Sequence, residues 1–378
     1  MSARLPRSLA LDVFRGASVA LMILVNNPGS WSHLFAPLDH AAWHGMTPTD
    51  LVFPFFLFAV GNALALSDPG WGRIARRTLL IFAIGLALNA SPFVHWDAAG
   101  ALVPRDWGAL RWMGVLQRIA LAYGAAALIV RLGGERGARW ATAALLVGYW
   151  VACLTFSNAA DPYSLEGFFG TALDRALLGA RHLYQGEGVA FDPEGLASTL
   201  PAIAQVLLGY LVGRRVVGGI THEGLVRLFV AALLLGVLAY LWQLQLPLNK
   251  KLWTPSYVLA TTALAIALLG VLVARFDLGD GRPSAVSTFF EAFGKNALFV
   301  FVASGLVPRV LALLRWSDGV DAQGVPRFIT PLPWLYRTLF ADVAPDPRIG
   351  SLLYAVVNLG VYWALAAWLD RRRSYIRV

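Results

Sequence analysis

Apolar runs close to twenty residues long recur from one end of this chain to the other, and no other feature restricts the fold as strongly. About 20 such residues in a helix cross the hydrocarbon core of a bilayer, where only helices and closed barrels satisfy every backbone N–H and C=O. Ten runs can be placed, near residues 9–27, 50–67, 75–90, 109–130, 138–156, 197–213, 225–244, 255–274, 288–306 and 350–369. The predicted fold class is an all-α polytopic integral membrane protein, a bundle of about ten transmembrane helices forming one domain over residues 1–378. Composition agrees: 14% of the residues are charged, against about 25% in a soluble domain, and the mean hydropathy is +0.61. A soluble enzyme is excluded.

The net charge of +9 would suggest nucleic acid in a soluble chain. Here the arginines sit in short loops between apolar runs, so no nucleic-acid partner is expected. An even number of spans puts both termini on one side, and most of the 31 Lys and Arg collect in the loops of that side. Positive loops face the cytoplasm, so both termini are expected there, with the first run an uncleaved span. The long segments on the other side, 28–49, 91–108, 157–196 and 307–349, carry most of the acids, histidines and loop tryptophans. Chemistry or recognition therefore belongs to the outer face. The single cysteine, Cys153, excludes an internal disulfide and a Cys metal cluster, and no metal is expected. Phosphate loops, dinucleotide fingerprints, HExxH motifs and serine elbows are all missing from the sequence.

Several polar groups stand out against this background. In RSLALDVFRG, Asp12 and Arg15 are three apart and share a helix face, either as an ion pair positioning the first helix or at a ligand phosphate. VNNPG closes the first span with Asn26 and Asn27, which cap the helix or present two amides at the outer mouth. His40, Trp43, His44 and Asp50 follow; an imidazole, with an ordinary pKa near 6.5, suits proton transfer at neutral pH. RWMGVLQRIALAYG buries Arg118 inside a span, where a guanidinium needs a partner such as Asp12 or Asp50, or a ligand. In FDPEGLAST, Asp192 and Glu194 precede a span; acids favour helix N-termini, and they also bind cationic or polyhydroxyl substrates. PLNKKLWTPSYV sets Asn249, Lys250, Lys251 and Trp253 on the outer side, against the charge trend, as snorkelling anchors or as contacts to an anionic ligand. FGKNALFVF and the basic end WLDRRRSYIRV complete the set, the latter suited to anionic lipid head groups or a phosphorylated ligand.

In this order, RSLALDVFRG, VNNPG, DHAAWHGMTPTDLVFPFF, GVLQRIA, DPEGLAST, PLNKKLWTPSYV, GKNALFVF and LDRRRSYIRV resemble the heparan-alpha-glucosaminide N-acetyltransferase family and its bacterial transmembrane acyltransferase relatives. The resemblance implies transfer of acetyl from cytoplasmic acetyl-CoA, as co-substrate, to an amino sugar on the far side of the membrane. The family's catalytic histidine matches His40, followed by Trp43, Gly45, Met46, Thr47 and Asp50, and the asparagine closing its first span matches Asn26. On this reading His40 is general base or transient acyl carrier, Asn26 stabilises the oxyanion and Asp50 orients the imidazole. Arg7, Arg15, Arg118 and Arg372 are the candidates for the CoA phosphates, and Trp43, Asp192, Glu194, Asn249 and Lys250 for the acceptor. The expected setting is a bacterial inner membrane, crossed many times and surrounded by lipid, with the site open to the periplasm; a homodimer is one arrangement open to it. The rival reading is an amino-sugar transporter without covalent chemistry, and a third is a structural membrane subunit.

Overall fold

The computed structural model describes residues 8–97, 100–279 and 282–376. Arg7, a candidate phosphate contact, lies outside them. Twelve α-helices are found among the described residues: α1 (Leu9–Asn26), α2 (Val52–Ala65), α3 (Trp71–Ala90), α4 (Val115–Thr155), α5 (Phe169–Leu178), α6 (Leu196–Val216), α7 (His222–Trp242), α8 (Pro255–Phe276), α9 (Ala285–Lys295), α10 (Ala297–Leu311), α11 (Pro331–Leu339) and α12 (Pro347–Arg371). Among the described residues the strands form two antiparallel hairpins in long loops, β1 (Val94–Trp96) with β2 (Leu102–Pro104) and β3 (Trp316–Val320) with β4 (Pro326–Ile329). The chain is thus an all-α, multi-pass membrane protein.

Among the described residues seven helices are long and apolar enough to cross a bilayer, or eight with the bent pair α9–α10. The third predicted run extends back to Trp71, because Arg73, Arg76 and Arg77 are themselves helical. The fourth and fifth runs join in α4, whose 41 residues would rise about 60 Å if straight, twice the thickness of a bilayer core. Gly134, at φ +57°, breaks α4 in a region that L side chains avoid. A methyl placed on Gly137 would stand 3.4 Å from the carbonyl of Ile129, so the helix doubles back there. The ninth run is also not straight: α9 and α10 meet at 77°, at Asn296. Its side chain turns to the tail, donating from Nδ2 to the Ser374 carbonyl at 3.2 Å and accepting from the Ile376 amide at 2.9 Å.

Close helix crossings set the positions of the rest. A Cβ on Gly61 would overlap the Val206 carbonyl and one on Gly209 that of Phe58, so α2 and α6 touch through backbone. Small residues at such a crossing are the usual way helices associate where lipid removes the hydrophobic drive. By contrast α7 and α12 leave most of their apolar surface exposed, as lipid-facing helices do. The start of α1 and the end of the chain lie together at one end of the bundle, the terminal face; Asp12 and Ile376 line one cavity there. The long loops gather at the opposite end, the loop face.

Candidate active site

The loop after α1 leads through a short 3-10 turn, Pro48–Leu51, into α2. Asp50 in that turn is 1% exposed, and its carboxylate organises the loop. Oδ2 accepts from the backbone amides of Ala41 at 3.1 Å and Thr47 at 3.0 Å, and from the Thr47 hydroxyl at 3.1 Å. Oδ1 lies 2.7 Å from His40 Nδ1. A ring that donates Nδ1–H to a carboxylate carries its lone pair on Nε2, which is the nitrogen available to a ligand. Lys250 closes the group, with Nζ 3.0 Å from His40 Nδ1, 3.4 Å from Nε2 and 3.3 Å from Asp50 Oδ1. Burial pulls its ammonium below the ordinary lysine range, and Asp50 opposes that pull.

Lys250 is held by a tight turn before α8. Asn249 Oδ1 accepts from the Leu252 amide at 2.8 Å, Thr254 Oγ1 accepts from the Asn249 amide at 3.0 Å, and the buried Trp253 adopts φ +54°. Asn249 therefore shapes the turn, and its Nδ2 stands 3.3 Å from His44 Nδ1. Trp43 donates to the Tyr163 carbonyl at 2.9 Å and packs on Phe191, fastening the 157–191 segment to the His40 loop. Lys251 ties the same parts together, donating to the Ala42 carbonyl at 2.9 Å and to Glu187 at 2.7 Å.

Between these pieces lies a cavity of 180 Å³ lined by Asn26, His40, Thr49, Phe53, Glu194 and Lys250, among others. Five of the candidate residues thus converge, counting Asp50 behind His40. Among the described residues the Asn26 side chain has no protein partner, and it also lines an adjoining cavity of 340 Å³ beside Gln117 and Arg111. Glu194 reaches the first cavity while bonded to Arg111 at 2.5 Å. Asp192 is turned away and buried, gripped by Arg111 through Nε at 2.9 Å and Nη2 at 2.6 Å. Sequence reasoning missed Arg111; the signal was the unpaired acid couple in FDPEG, which needs a cation.

Arg118 is fully buried. It donates to the Pro193 carbonyl and the Ser198 hydroxyl, and its guanidinium lies 4.9 Å from the Trp253 ring centre. It sits beneath the loop-face cavity, apart from Arg15. At the terminal face, Arg15, paired with Asp12, lines a cavity of 480 Å³ with Arg77, Lys295, Phe56, Ile119 and Leu298. Arg77 lies over the Tyr123 ring with Nε unpartnered, and Lys295 bonds Asp370 at 2.8 Å. The sequence marks neither as a ligand contact, because both look like ordinary positive-inside charges. Arg372 packs on Trp368 and lines neither cavity.

Three helices face both spaces. Phe53 lines the loop-face cavity and Phe56 the terminal one; Val115 and Ile119, and Phe301 and Leu298, divide in the same way. The two spaces are therefore separated by about one helical turn, roughly 5 Å.

A multi-pass helical membrane protein with a histidine–carboxylate pair in one cavity and a cluster of cations in a second, on opposite sides of a thin partition, is the class that fold and site define. The catalytic region of heparan-alpha-glucosaminide N-acetyltransferase matches residues 7–247, and the chain belongs to this family. The human heparan-alpha-glucosaminide N-acetyltransferase is 29% identical over 367 residues, covering 80% of this chain and 53% of that protein. The mouse enzyme of the same name is 27% identical over 361 residues, with 78% and 53% covered. The chain spans about half the length of these curated relatives.

Proposed function

We propose that this protein is a transmembrane N-acetyltransferase that takes acetyl from acetyl-CoA at the terminal face, in the cytoplasm, and passes it to the amine of an amino sugar at the loop face. The observation that carries this reading is the pair of cavities on either side of a one-turn partition, one basic, the other holding His40. Arg15, Arg77 and Lys295 supply charge for the phosphates of the donor. The apolar side chains of Phe56, Ile119 and Leu298 suit its thioester arm, which must pass the partition to reach His40. Membership of the family, with the names of the human and mouse relatives, supports the reaction class.

The neutral amine attacks the thioester carbonyl, forming the C–N bond. As that bond forms the nitrogen becomes acidic, and its proton passes to Nε2 of His40, which Asp50 holds by Nδ1. The carbonyl oxygen, now an oxyanion, accepts from the free amide of Asn26 and from Lys250. The C–S bond then breaks, and the leaving thiolate takes the proton from the imidazolium. Glu194, lining the same cavity, accepts from acceptor hydroxyls. Arg118, Asp192, Asn249 and Trp43 hold the loops that carry these groups. On this reading the membrane is a bacterial inner membrane and the His40 cavity opens towards the periplasm, which the positive charge of the loops on the terminal side supports.

The test is transfer of labelled acetyl from acetyl-CoA to glucosamine by purified protein in detergent, beside His40→Gln. Transfer by wild type that falls about 10²- to 10⁴-fold in the variant, while CoA still raises the melting temperature of both, is the expected result. Sugar binding without any CoA effect would instead favour a transporter.

A further inference from the structure

We propose that a second basic cavity at the terminal face holds the 3′-phosphoadenosine end of the donor, leaving the 480 Å³ cavity to its diphosphate and arm. This rests on the acetyltransferase reading above. The cavity measures 580 Å³ and is lined by Ser67, Asp68, Trp71, Arg131, Tyr210 and Arg214, among others. It lies on the other flank of the end of α2 from the first cavity, and Ser67 lines both. A ligand with two unlike ends can therefore occupy the two spaces at once by bending around Ser67.

The chemistry of the lining matches a phosphorylated purine nucleoside. Trp71 and Tyr210 line the cavity with aromatic rings, and bases stack on such rings whatever their sequence. Arg131 lies 5.2 Å from the Trp71 ring centre, so ring and guanidinium are already assembled. The two arginines are held loosely. Arg131 Nη1 meets Asp68 and the Pro69 carbonyl, each at 3.3 Å, and that carboxylate is 93% exposed. Arg214 reaches Glu135 at 3.5 Å, and Glu135 is shared with Arg139 and Arg215. Exposed pairs of this kind contribute little, whereas a guanidinium and a phosphate form short, often bidentate bonds. Exchanging the first for the second is favourable, with Asp68 free to turn to solvent.

The experiment measures Kd by calorimetry on the full chain in nanodiscs, for CoA, 3′-dephospho-CoA and pantetheine. The proteins are wild type, Arg131→Gln, Arg214→Gln, Arg131→Lys, Trp71→Leu and, as a control on an exposed helix face, Arg227→Gln. Each glutamine variant in the cavity should weaken CoA about tenfold, the loss of a charged hydrogen bond, and leave 3′-dephospho-CoA within about twofold. Arg131→Lys should recover part of the loss, which excludes misfolding as its cause. Trp71→Leu should weaken both nucleotides alike, and none of the variants should alter pantetheine binding. Equal effects of the arginine variants on CoA and 3′-dephospho-CoA, or no effect on either, would overturn the assignment. So would loss of phosphatidylglycerol binding in those variants with CoA affinity intact, which would give the cavity to lipid head groups. A wild type that binds neither CoA nor pantetheine removes the acetyltransferase reading itself, a result distinct from unaltered variants of a CoA-binding protein.

Discussion

The loop-face and terminal-face cavities are built from different materials. Around His40 the loop groups that shape the site are fixed by bonds to backbone: Asp50 by two amides, Asn249 and Thr254 by their own turn. In the terminal cavity the cations stand on helices, but their charges end long flexible stems held by exchangeable ion pairs such as Lys295 with Asp370. Bond-making needs atoms placed within fractions of an ångström, so its groups are tied from several directions. Holding a large anionic substrate needs charge that can follow it, and long basic side chains supply that.

The contrast can be broken where it is sharpest. Asn26→Ala removes the free side-chain amide that lines the His40 cavity and should lower kcat about 10²- to 10³-fold, with the KM for acetyl-CoA little changed; a loss confined to KM would deny Asn26 its part in the transition state. Arg77→Gln tests the other side. It should raise the KM for acetyl-CoA about tenfold, as loss of one charged contact does, with the change in kcat much the smaller; steady-state kinetics with varied donor would show a kcat effect if the terminal cavity also shapes the reacting geometry. The smallest effect concerns Asp174, outside both cavities. Burial pushes its carboxyl up to about 6, although it accepts from the Leu196 and Ala197 amides. The folded state then binds the proton more tightly than the unfolded one, whose aspartate titrates near 4. The stabilisation is complete below about pH 4 and is lost as pH rises through about 6. Melting temperatures measured at pH 5 and pH 7 should therefore differ less in Asp174→Asn than in wild type, and equal differences would remove this linkage.

Local contrast decided what could be read before the fold was known. A polar residue inside or beside an apolar run is conspicuous, and Asn26, His40, Asp50, Glu194 and Lys250 all announced themselves that way; the structure gathers them at one cavity. Pairings across long stretches of chain gave no such signal. For Arg118 the sequence asks for a partner such as Asp12 or Asp50, or a ligand; its protein bonds go to Pro193 and Ser198, and nothing in its own helix says which loop will cover it. Arg111 meets acids some eighty residues away. The break at Asn296 depends on a tail at the far end of the sequence, and no proline or glycine at that position marks it. Arg77 and Lys295 were hidden for the opposite reason: a loop full of positive charge is what membrane topology alone demands.

The buried guanidinium of Arg118 bears on how this protein fares in a cell. By bonding the turn at Pro193 and stacking on Trp253, it joins two loops that are synthesised far apart, and it lines neither the His40 cavity nor the 480 Å³ cavity. A substitution there leaves buried acceptors unmet and frees both loops, so its first effect falls on the fraction of molecules that escape proteolysis. One or two kcal/mol of lost stability can change abundance several-fold. Arg118→Gln would therefore lower the amount of folded protein recovered from cells.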